Sequence, residues 1–72
     1  MVEVFKTNVS TAAAAENLVA QIHQTFDEYK ANFDLDDCDL ILRIECDTFS
    51  IPPQPIIELL MYNGFCAEVL ND

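Results

Sequence analysis

Ala15, Leu18, Val19, Ile22, Phe26 and Tyr29 follow one another at steps of three and four residues. That spacing sets them along one side of a helix with 3.6 residues per turn. Glu16, Asn17, Gln21, Gln24, Asp27 and Glu28 fill the other side. A helix with one long apolar stripe must bury it against another element. A chain of 72 residues has room for one domain, 1–72, and one core. What flanks the helix therefore decides the fold.

The flanks read as strands. Val2 to Asn8 holds Val2, Val4, Phe5 and Thr7, residue types that favour extended backbone, and Ser10 or Thr11 can cap the helix that follows. After the helix, Asn32-Phe33-Asp34-Leu35 alternates strictly, and Asp36-Asp37-Cys38-Asp39 forms a polar turn. Leu40 to Cys46 alternates again, with Leu40, Leu42, Ile44 and Cys46 on one face. Two alternating runs around a short polar break predict a β-hairpin. Asp47 to Pro55 is a loop, and its prolines suit the first turn of a helix through Ile56–Tyr62, where no N–H is needed. Gly64 fits the left-handed position after that helix, and Phe65 to Leu70 reads as a last strand.

The order is strand, helix, strand, strand, helix, strand. Its simplest packing is an α+β, ferredoxin-like arrangement: a four-stranded antiparallel sheet with both helices on one face. The other face stays uncovered. Ile41 is expected to point there and to contribute to a dimer or partner surface.

Charge excludes several function classes. Thirteen Asp and Glu stand against Lys6, Lys30 and Arg43, a formal net charge of −10. Such a chain repels a phosphate backbone and an anionic membrane surface, so neither nucleic acid nor membrane is expected as a partner. A protein partner, through self-association or a basic surface, is compatible with it. No apolar run approaches the ~18–20 residues of a membrane span. Met1 to Lys6 shows no secretory signal pattern, so a cytoplasmic location is expected.

Cys38, Cys46 and Cys66 are an odd number with no Cys-x-x-Cys pair. They suggest neither a disulfide framework nor a zinc knuckle, and each reads as a reduced, small apolar residue. His23 lies just off the apolar stripe and reads as a boundary histidine rather than a base or ligand. The carboxylates sit in turns and on polar faces, so no acid–base pair is expected. No nucleophile–base pair or phosphate loop is present; the chain reads as non-enzymatic, with no cofactor expected.

Val9-Ser10-Thr11 opening the first helix, Asn63-Gly64-Phe65 closing the second, and the element order between Val2 and Leu70 resemble the heavy-metal-associated domain of copper chaperones and metal-transporter N-terminal domains. The defining Met-x-Cys-x-x-Cys motif of that family would fall on Val9, Thr11 and Ala14. A hydroxyl and a methyl cannot replace two thiolates, so the resemblance implies the fold and not the metal chemistry. Phe5 to Val9 and Phe33 to Asp39 are similar to small bacterial proteins that keep this fold without the metal motif.

The same topology brings the end of the first strand, the hairpin turn and the start of the last strand to one end of the sheet. Asp36, Asp37, Cys38 and Cys66 are the candidate ligands of a displaced cation site there, with Asp39 beside them. Cys38 and Cys66 are expected about 10 Å apart across the intervening strands, too far for one ion. The function that fits these residues is a non-catalytic interaction or regulatory module. The alternatives are a metal-ion-binding protein using the Cys/Asp site and a small-molecule sensor domain.

Overall fold

The computed structural model describes residues 1–47 and 50–70. The strands are β1 (Val2–Thr7), β2 (Lys30–Asp34), β3 (Ile41–Glu45) and β4 (Ala67–Val69); the helices are α1 (Ala12–Thr25) and α2 (Pro53–Tyr62). The four strands form one antiparallel sheet in the order β2-β3-β1-β4, the ferredoxin-like arrangement.

Alternation along the strands splits the sheet into two faces. Phe5, Ala31, Leu42 and Ile44 turn toward the helices and join Leu18, Ile22, Ile56 and Leu60 in one buried cluster. Each large side chain fully buried there stabilises the fold by about 1.5–3 kcal/mol. Val9 and Ile51, from the connections, plug the same core.

Helix α1 starts where Thr11, in extended backbone, accepts the Ala14 N–H on Oγ1 at 3.2 Å. The alanines behind it are strong helix formers. The apolar stripe outlasts the helix. Phe26 ends it, and Tyr29 reaches the core from the following turn, its ring stacked on Phe26 at a centroid distance of 5.0 Å. The expected helical placement of Tyr29 is thus corrected: the periodicity marks the buried face and not the helix end. Helix α2 begins earlier than its apolar run, because Pro53 occupies its first turn. It ends in a Schellman motif: the Gly64 N–H donates to Met61 O and the Phe65 N–H to Leu60 O, with Gly64 at φ +86°.

The helices are tied by a reciprocal amide pair. Gln21 Nε2 donates to Asn63 Oδ1 at 2.9 Å, and Asn63 Nδ2 donates back to Gln21 Oε1 at 3.1 Å. Thr7 performs the equivalent task at the hairpin. Its hydroxyl donates to Leu40 O at 2.7 Å and accepts the Val9 N–H at 3.1 Å, and its own N–H reaches Asp39 O. Leu40, expected within the strand, instead stands before β3 in left-handed backbone at φ +51°. β4 is shorter than expected, and no helix among the described residues is long and apolar enough to cross a membrane.

Candidate functional site

Three places combine chemistry with access: the hairpin end of the sheet, its uncovered face, and its β2 edge.

At the hairpin, the ligand atoms of Asp37, Cys38 and Asp39 lie within 4.8 Å of one another. Of the expected ligands, the structure brings Asp37 and Cys38 together with Asp39; Asp36 and Cys66 are not in the group. The turn itself occupies part of these carboxylates. The Asp39 N–H donates to Asp37 Oδ1 at 2.8 Å, and the Asp36 N–H donates to Asp34 Oδ1 at 3.2 Å. These are Asx turns, which the hairpin uses to shape its backbone. Cys66 is placed by its N–H, which donates to Asn8 Oδ1 at 2.8 Å. At the β1–α1 junction Val9 is fully buried and Thr11 serves as the helix cap.

The uncovered face carries Val2, Val4 and Lys6 of β1, Lys30, Asn32 and Asp34 of β2, Ile41, Arg43 and Glu45 of β3, and Glu68 of β4. Every basic residue of the chain is among them: Lys6, Lys30 and Arg43. Asp34, Glu45 and Glu68 match them in number on this face. The other acidic side chains of the described residues therefore belong to its other surfaces. Lys6 also lies 3.9 Å from Asp39. Ile41 stands on this face as expected but is only 6% exposed, between Lys6 and Asp34 in register. The expectation that it adds an exposed apolar contact is corrected: a long neighbour such as Lys6 covers a residue of this kind with its aliphatic stem.

The β2 edge holds the residue whose role the sequence did not reveal. His23, exposed on α1, accepts the Ala31 N–H on Nε2 at 3.1 Å. Ala31 belongs to the outermost strand, so its N–H points away from the sheet and would otherwise face solvent. Between α1 and this edge runs a cleft of about 500 Å³, floored by Ala12, Ala15, Ala20 and Phe33 and flanked by Glu16 and His23. Only the strand order marks β2 as an edge, and only the packing of α1 brings His23 to it.

At the opposite end of the sheet Cys46 is buried, and the N-terminal ammonium donates to its carbonyl at 2.8 Å. Burial first, then the nearby Cys46 and Glu28, push the Tyr29 phenol above its usual range.

No family model, curated protein or solved structure matches this chain.

Proposed function

We propose that this chain is a non-catalytic interaction module, a heavy-metal-associated-like domain without the thiolate pair, that receives a protein surface of mixed charge on the open face of its sheet. The observation that carries the reading is the gathering of Lys6, Lys30 and Arg43 on the sheet face that neither α1 nor α2 covers. Elsewhere the surface is acidic and repels acidic partners. Here cations and anions alternate, and such a mosaic favours a partner with the complementary arrangement while penalising others. Arg43 lies at the centre of the face, between Asn32 and Val4 in register. Its planar fork suits a carboxylate on the partner.

The test is affinity purification from the source cells with the native chain and its Arg43→Glu variant side by side. A protein retained by the first and lost by the second supports the reading. Equal retention by both, or a stoichiometric metal ion or metabolite in the native mass spectrum of the purified chain, overturns it. An ion would favour the Asp37–Cys38–Asp39 group, and a metabolite the sensor alternative.

A further inference from the structure

We propose that two copies of this chain join along their β2 edges, antiparallel about a two-fold axis through Asn32, into one continuous sheet. The contact takes Lys30, Asn32 and Asp34 from the outer margin of the open face and leaves Arg43, at its centre, outside it, so the inference goes beyond the reading above and is tested by different variants.

Three observations meet at the edge. The first is the direction of its backbone groups. The Ala31 N–H points outward to His23, and strand alternation then turns the N–H and C=O of Phe33, and the C=O of Ala31, outward as well. The Leu70 N–H bond to Val4 O at 2.9 Å fixes the same alternation across the sheet. An antiparallel copy centred on Asn32 sets Ala31 opposite Phe33 of its partner, and each offers the donor and acceptor that the other lacks.

The second is the charge order of the strand, Lys30-Ala31-Asn32-Phe33-Asp34. Reversed against itself about Asn32, it places Lys30 opposite Asp34 on both sides of the axis and Asn32 opposite Asn32. These side chains stand in the non-hydrogen-bonded positions, where opposite Cβ atoms come within about 4.5–5.5 Å. Lys30 makes no ion pair with another described residue, so its charge is available. The other edge cannot do this. β4 is Ala67-Glu68-Val69, and the same operation sets Glu68 against Glu68, a like-charge pair that opposes association.

The third is the cleft beside the strand. Ala12, Ala15 and Ala20 line it with small side chains, which leaves open space between α1 and the strand on the side a second copy would approach. The alanines at the start of α1 thus gain a purpose beyond helix propensity.

His23 guards the edge in the single copy. Its Nε2 satisfies the Ala31 N–H, the group a second strand would claim, and an edge amide already satisfied is a weaker template. Pairing exchanges this bond for one to the carbonyl of the partner's Phe33. A contact of five-residue strands and one helix side buries less than about 1,200 Å² in total, the range of exchangeable complexes. The dimer is therefore concentration-dependent.

Sedimentation equilibrium of the full chain from about 10 µM to 1 mM, a range set by that small contact, reads the mass against the 8.1 kDa of one copy. The expected result is a rise toward twice that mass, with slowed hydrogen exchange at the Phe33 amide as the dimer fills. Lys30→Asp and Asp34→Lys each place like charges opposite one another, and each alone should dimerise at least tenfold more weakly. Mixed in equal amounts, the two variants should pair with each other, because every reversed charge then faces an opposite one. His23→Ala should dimerise several-fold more tightly. A chain that stays monomeric throughout, a dimer indifferent to both single reversals, or a mixture that fails to pair while both variants keep the native circular dichroism spectrum overturns the proposal. A dimer whose Phe33 amide exchanges as in the monomer does so too.

Discussion

Thr7 shows how much one side chain can organise. It is the single buried polar residue among those described, and its hydroxyl both donates to the hairpin and accepts from the junction. Thr7→Val keeps the shape and leaves the Leu40 carbonyl and the Val9 N–H without that partner. The Val9 N–H is the buried one of the two, and orphaning it costs about 1–3 kcal/mol; urea unfolding should show a loss in that range. Thr11→Ala removes a cap in full solvent and should cost about 1 kcal/mol or less, measured in the same way. Tyr29 supplies a pH test. Its phenol is held above the usual value of 10.0 by burial and by Cys46 and Glu28. The folded chain then keeps a proton that the unfolded chain releases, so this contribution to stability is intact below pH 10 and lost as pH rises through the folded value. Absorbance titration of the phenols should contain a late component that vanishes in Tyr29→Phe, and the variant should lose less stability above pH 10.

At the level of elements, the helix stripe, the hairpin and the glycine stop were legible because each rests on local rules: a 3.6 period, a polar break between alternating runs, and a left-handed residue after a helix. Gly64→Ala tests the last of these. A methyl there meets nothing within 4 Å, so the whole effect is the strain of φ +86°, about 1 kcal/mol on thermal or urea unfolding. Leu18→Ala, in the core under α1, should cost about 2–5 kcal/mol. Where local rules ended, so did legibility. The stripe could not say that α1 stops at Thr25, since Tyr29 continues the period from a turn that contains neither glycine nor proline. Of the hairpin ligands, sequence proximity joined Asp37 and Cys38, but it could not say that Asp36, whose N–H is held by Asp34 Oδ1, falls outside their group. The symmetric charges of Lys30 and Asp34 are plain in the sequence, yet they carry meaning only once β2 is an outer strand. The tie between His23 and Ala31 is a product of tertiary packing, and no spacing encodes it.

For the molecule as a whole, the net charge of −10 on so small a body is a steady destabilising field. Raising salt from about 0.01 M to 0.2 M shortens the Debye length from about 30 Å to less than 10 Å, so the melting temperature should rise over that interval. A flat or falling melting temperature would show that the charges are already paired or too far apart to matter. The separation of charge also acts before any contact is made. The molecule measures 30 × 28 × 18 Å, wider than the screening distance in ordinary buffer, so an approaching body senses one side at a time. With the cations gathered on the sheet face, the chain is an electric dipole as well as an anion. A second copy drifting toward the helical side meets repulsion and is turned; one arriving at the sheet side or along Lys30 is not. The placement of three side chains thereby sets the orientation in which encounters survive, and with it the rate at which this acidic protein can meet anything like itself.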